Sequence, residues 1–199
     1  MKRFAILITT LLACFGAVAQ DNWLSHLYGN DYIGYSVPVS DMLQNGSSVD
    51  MTLEYRLDME HPISGWTLGL RMDERTYDYK NQTIEGSNLA SAEIYTTDFL
   101  GFATCRIQPL EKCCIAISTG AGMAMYKHPT INLANEQVFL YEWIPMARVE
   151  CALEWYLDDA FGLSLSASYS QNLRKSPFSP DLSHDAFFGI NAGLVFSLF

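Results

Sequence analysis

Three sets of residues have types that could do chemistry. The first is the run Ser183-His184-Asp185, with His128 and Thr130 elsewhere, because a histidine beside a hydroxyl is the pairing that base-activated nucleophilic attack requires. Consecutive residues cannot converge their side chains as a relay needs, so Ser183-His184-Asp185 is not a triad by itself. His61 lies in a turn and His26 before the first expected strand, and both are expected to be solvated. The second set is charged and mixed in sign: Glu54, Arg56, Asp58, Arg71, Asp73, Arg148, Glu150 and Glu154 recur at even spacing within extended-looking segments. Charges that share an enclosed face must pair, so this set predicts a plug of ion pairs in preference to an ion or proton path. The third set is Cys105, Cys113, Cys114 and Cys151. Their spacing does not fit a zinc site, and adjacent Cys113 and Cys114 would point to opposite sides of a strand. Small apolar residues or one local disulfide are expected there, with no metal. Nothing in the chain resembles a phosphate-binding loop, and no cofactor is expected.

These residues need a scaffold, and composition limits what it can be. The 199 residues, 49% hydrophobic and 17% charged, make one domain and exclude disorder. With Lys+Arg 12 against Asp+Glu 22, the net charge of −10 argues against nucleic acid as a partner. Met1-Lys2-Arg3, the apolar run from Phe4 to Phe15 and Ala17-Val18-Ala19 form a secretory signal peptide over residues 1–19, leaving 20–199 as the mature domain. Leu11-Leu12-Ala13-Cys14 permits lipoprotein processing at Cys14 as the alternative; both routes export the chain. No later stretch offers the roughly 18 apolar residues of a membrane helix.

The mature sequence alternates instead. Val49, Met51, Leu53, Tyr55, Leu57 and Met59 are interleaved with Asp50, Thr52, Glu54, Arg56 and Asp58. Ile115, Ile117, Thr119, Ala121, Met123 and Met125 are interleaved with Ala116, Ser118, Gly120, Gly122 and Ala124, and Leu163 to Tyr169 with serines. Period two means strands, and a face of Gly, Ala and Ser suits a crowded interior. Eight strands are expected, over 31–40, 48–60, 65–77, 91–108, 113–127, 139–156, 161–171 and 186–199. The connections 61–64, 109–112 and 157–160 are short, whereas 41–47, 78–90, 128–138 and 172–185 are longer and polar. Gly101 is expected to mark a bulge in the fourth strand, and Pro145 an irregularity in the sixth. Trp66, Trp155, Tyr156 and Phe161 near the short turns, and Tyr126, Phe139, Tyr141, Trp143 and Tyr169 near the long ones, predict two aromatic belts.

The last strand carries a more specific signal. Phe188, Ile190, Ala192, Leu194, Phe196 and Leu198 share one face, and Asn191-x-Gly193-x-x-Phe196-x-Leu198, followed by Phe199, resembles the assembly signal of bacterial outer-membrane β-barrels. The resemblance implies an all-β, eight-stranded antiparallel up-and-down transmembrane barrel of the small OmpA/OmpX class. It further implies an outer-membrane location, and outer-membrane lipid and the assembly machinery as partners, with a surface ligand unspecified. The resemblance says nothing about activity; the first expectation is a non-enzymatic role, structural or surface-interacting through the loops. The alternative within the class is a lipid A-modifying enzyme, with His128 or His184 as base and Ser183 or Thr130 as nucleophile. A soluble lipocalin-like carrier would share the strand count but needs an apolar lumen.

Overall fold

The structure, a computed structural model, describes residues 27–39, 46–56, 65–78, 93–131, 137–158, 160–174 and 186–197. They form β1 (Leu27–Pro38), β2 (Gly46–Arg56), β3 (Gly65–Asp78), β4 (Glu93–Leu110), β5 (Cys113–Ile131), β6 (Gln137–Tyr156), β7 (Phe161–Asn172) and β8 (Ala186–Ser197). Each strand pairs antiparallel with the next, and β8 returns to β1 to close a barrel. Closure leaves no unpaired edge, which is the condition for a sheet to stand in hydrocarbon.

The register sets the size of the barrel. The row Leu27, Tyr55, Leu68, Ala103, Thr119, Val149, Tyr169, Phe188 runs once round the wall and returns to β1 at Val37, ten residues above its start. Eight strands with this stagger tilt about 35–45° and enclose a lumen that side chains can fill. Along the barrel axis each residue then climbs about 2.5 Å, and each step from one strand to the next about 3 Å.

Alternation decides what faces where. Val49, Met51, Leu68, Leu70, Ile117, Val149, Leu153, Leu165 and Ile190 are exposed on the outer face, while Asp50, Thr52, Glu54, Arg71, Asp73, Arg148, Glu150 and Glu154 are buried inside. This inverts the water-soluble arrangement, so the solvent of the outer face is lipid. On the geometry above, Trp66, Trp155, Phe161 and Phe196 lie within about 3 Å of one level at the turn end, and Tyr35, Phe99, Tyr169 and Phe188 form a second ring about 19 Å higher. The band between them, taken with the width of the two rings, approaches the roughly 25 Å of a membrane-spanning barrel. Asp31 breaks it: this carboxylate is exposed on the outer face between Met51 and Leu194.

Several expectations are corrected. Gly101 pairs in register with Leu70 and Ala121, and the irregularity of β4 lies instead between Ile107 and Leu110, beside the tight Glu111-Lys112 turn. Pro145 is also in register, opposite Met123. Its carbonyl accepts from Leu173 N at 2.7 Å, so the side that lacks a donor faces the end of β7, past the ladder, where the missing N–H costs little. The connection expected over 128–138 narrows, because β5 and β6 stay paired out to Ile131 and Gln137. His128 and Thr130 therefore belong to β5, opposite Leu140 and Val138. Tyr126 and Tyr156 leave the belts: both are buried in the lumen, on the opposite parity to Met125 and Trp155.

Residues 1–19, Leu57, Asp58 and Met59, His26, His61, Ser183 and His184, and Leu198 and Phe199 lie outside the described residues. At the turn end, Asp158 Oδ1 accepts from Ala160 N at 2.9 Å and Phe161 N at 2.7 Å, fixing the β6–β7 turn with one side chain. Gly65 opens β3 at φ 126°, a conformation that favours glycine.

Candidate functional site

The lumen holds the side chains with the chemistry, and they stack in tiers. Nearest the turns, Arg106 donates to Glu54 Oε2 at 2.6 Å and to Glu154 at 3.0 and 3.1 Å, and its remaining nitrogen donates to Thr67 at 2.9 Å. Asn30 Nδ2 donates to the second oxygen of Glu54 at 2.9 Å, and Tyr156 Oη to Glu154 at 2.8 Å. One guanidinium on β4 thus ties β2, β3 and β6 together.

The middle tier has two arginines. Arg71 on β3 reaches across the lumen to grip both oxygens of Glu150 on β6, at 2.8 and 2.9 Å, and its Nε lies 3.0 Å from Thr52 and 3.3 Å from Asp50. The same guanidinium sits over the rings of Phe102 and Tyr32, at 5.3 and 5.9 Å. Arg148 crosses in the opposite direction, donating to Asp73 at 2.6 Å, Glu150 at 3.1 Å, and Asp50 and Ser168 at 3.2 Å each. Bidentate, charge-assisted contacts of this kind fix geometry more firmly than a lysine could.

Above them Arg75 pairs with Asp98, lies 3.3 Å from Asp73, and stacks 5.0 Å from the Phe187 ring. An apolar cap of Tyr77, Ile94, Leu100, Ala124, Tyr126, Ile144, Met146 and Phe187 then fills the loop end of the lumen. Its two hydroxyls are satisfied, Tyr77 by Ser36 at 2.7 Å and Tyr126 by Asn172 at 2.6 Å. A smaller group, Cys114, Tyr156 and Val195, packs at the turn end. Among the described residues the charged tiers thus lie between two apolar closures. Small spaces remain among the described residues, two of them with room for about one water each. One is lined by Asp73 and Arg148, whose Oδ1 and Nε have no hydrogen-bond partner among the described residues.

Small residues make room for these long side chains. A Cβ on Gly69 would collide with the Phe102 ring, and one on Gly120 with the Gly101 carbonyl and the Cβ of Phe102, so the glycines of β3 and β5 let β4 bring that residue inside. Within the terminal motif, Asn191 accepts from Ser48 at 3.0 Å and donates to Ser166 at 3.3 Å, while Gly193 lies against Tyr32, where a Cβ would not fit. Phe196 pairs with Gly29 and Phe161. The residues of the presumed targeting signal thus also seal the β8–β1 seam.

Of the charges singled out from sequence, Glu54, Arg71, Asp73, Arg148, Glu150 and Glu154 meet in these tiers. Arg56 ends β2 opposite Thr67, and Asp58 is outside the described residues. Asp50, Arg75, Asp98 and Arg106 belong to the network without having been singled out. Parity with Glu54 and with Asp73 marks Asp50 and Arg75, whereas Asp98 and Arg106 stand on β4, where a bulge expected at Gly101 leaves no single parity to follow. Among the described residues no group of His, Cys, Asp and Glu is arranged to hold a metal. Cys105 and Cys151 are free thiols on the outer face that flank Ile117 from neighbouring strands. Two strand spacings, about 10 Å, exceed the reach of a disulfide.

No protein-family model matches the chain, and no curated protein does. Among solved structures, Neisserial surface protein A aligns with a TM-score of 0.59 at 12% identity, over 87% of this chain and 98% of that one. Ail, the attachment invasion locus protein of Yersinia pestis, aligns at 0.49 and 13% identity over 85% and 97%. The N-terminal β-barrel domain of Pseudomonas aeruginosa OprF aligns at 0.43 and 14% over 86% and 98%. With its closed eight-strand order and the first of these alignments, the chain has the fold of the small eight-stranded outer-membrane β-barrel proteins.

Proposed function

We propose that this is a non-enzymatic integral outer-membrane protein that serves the envelope through its loop end and does not pass solutes through its lumen. The observation that carries this is the filled interior, in which Arg71, Arg106 and Arg148 pair with carboxylates across the lumen and Arg75 with Asp98 of the neighbouring strand, between apolar clusters at both ends. An aqueous channel takes roughly twice as many strands. A soluble carrier would require the opposite distribution of polarity. With the short turns at one end and the longer connections at the other, the loop end faces outward, as in barrels of this fold. What that end contacts in the envelope is then a matter of loops carried on a rigid wall.

The test is electrophoresis of separated membrane fractions with and without boiling. Recovery in the outer-membrane fraction, with a band that changes mobility only after heating, is the expected result. Recovery in the soluble periplasm without a shift would refute the proposal. Whether the loop end does chemistry is read separately: an unchanged lipid A mass spectrum on overexpression is expected, and a new acyl pattern lost in His128→Ala or His184→Ala would replace this function with the enzymatic one.

A further inference from the structure

The outer face does not end evenly. On β2 and β3 apolar character stops at the upper aromatic ring, where Ser47, Glu74 and Thr76 take over, and β1 carries only the aliphatic Val37 and Val39 above it. The β5–β6 hairpin continues beyond it, paired to Ile131 and Gln137. On the barrel geometry, Tyr95, Trp143 and Lys127 stand about 10 Å above the upper ring, and Tyr141 and Phe139 higher still. This extension does not turn polar: Tyr95, Phe139, Tyr141 and Trp143 are all exposed on the same face. Trp143 stacks obliquely on Phe99 of the ring, centroids 5.9 Å apart, so the patch is continuous with the lipid-facing band. Lys127, between Tyr95 and Tyr141 in the ladder, is the cation on this face. Its Nζ lies 4.2 Å from the Phe139 ring centroid and 5.2 Å from that of Tyr95, with no ion pair among the described residues. The neighbouring Glu93 accepts the Tyr95 hydroxyl.

We propose that this face, centred on Lys127, seats the phosphorylated sugar headgroup of a glycolipid in the surrounding leaflet. The inference rests on the outer-membrane location proposed above. Three features select that occupant. Continuity with the band places the patch at headgroup height, where a lipid is already the neighbour. Flat aromatic faces stack on the apolar faces of sugars, and exposed rings in such number mark a contact surface. Lys127 supplies a positive charge, held by two rings, on a chain whose net charge of −10 would otherwise repel an anionic leaflet.

The test titrates the purified, detergent-folded full chain with diphosphorylated lipid A, its dephosphorylated form and inorganic phosphate, read by native mass spectrometry. Diphosphorylated lipid A is expected to bind roughly tenfold more tightly than the dephosphorylated form, the size of one charge-assisted hydrogen bond. Lys127→Gln should abolish that preference and Lys127→Arg should keep it, while Trp143→Ala weakens both lipids. The heat-dependent gel shift of each variant shows that it folds. The same preference in Lys127→Gln would overturn the proposal. So would saturation by inorganic phosphate alone, which would make the ligand a free anion, or self-association through this face in place of lipid binding. The titration does not depend on where the cell places the protein, so a failed location and a failed binding site give different results.

Discussion

Two walls of the lumen differ in kind. β2, β3, β4 and β6 bear the long charged side chains, Asp50, Glu54, Arg71, Asp73, Arg75, Asp98, Arg106, Arg148, Glu150 and Glu154. β5, set between β4 and β6, and β7 carry small inward residues instead, Ala116, Ser118, Gly120, Gly122 and the series Ser164, Ser166, Ser168 and Ser170. Neither wall would fill the barrel alone. Long side chains need a surface that yields space, and small ones leave voids unless something crosses to them. Arg148 illustrates both halves: it ties Asp50 and Asp73 and ends on Ser168.

Breaking the charged wall should have the largest effect. Arg148→Met leaves Asp50, Asp73 and Glu150 short of a partner in the interior, which costs about 3–5 kcal/mol. The measurement is the guanidinium midpoint of unfolding in detergent. No shift would mean that the carboxylates are satisfied without it. For the outer face, Leu53→Arg puts a charge in the lipid-facing band and should cost about 2–4 kcal/mol in bilayer refolding equilibria. Equal tolerance of that change would remove the assignment of the outer face to lipid. The small wall should be less sensitive. Gly120→Leu forces a side chain against Phe102 and should cost about 1–3 kcal/mol, detectable as a lower temperature for the gel shift. Asp31→Leu is expected to stabilise the barrel in bilayers by about 1 kcal/mol, since an acidic group in the band costs less than a basic one. Destabilisation would show that Asp31 has a partner there.

How far the sequence discloses this depends on the strand. In β2, in β3 up to Asp73 and in β6 from Arg148 to Glu150, polar and apolar residues alternate, and the inward charges can be named from parity alone. β7 and β8 are equally clear, because serine, glycine and asparagine occupy the crowded side. β4 is opaque for a physical reason. Leu100 and Phe102 face inward, next to outward Phe99, because glycines on β3 and β5 leave room for apolar bulk inside. Period two is thereby blurred, Gly101 mimics a bulge, and Asp98 and Arg106 are hidden. The apolar caps were illegible likewise. Tyr126 and Tyr156 look like interface aromatics by type and by nearness to strand ends, and only their parity, one step from Met125 and Trp155, sends them into the lumen. The extension of β5 and β6 left no local signal, since its residues combine turn-formers such as Pro129 with aromatic strand-formers such as Phe139.

The most direct test of the central claim, a barrel filled by its own side chains, is single-channel recording with the purified protein in a planar lipid bilayer. The account predicts an unchanged baseline at all voltages, and an opening only after Arg71 and Arg148 are both replaced by alanine. A steady, ohmic conductance from the wild-type protein would contradict it, since the ion-paired tiers would then have to part to admit ions.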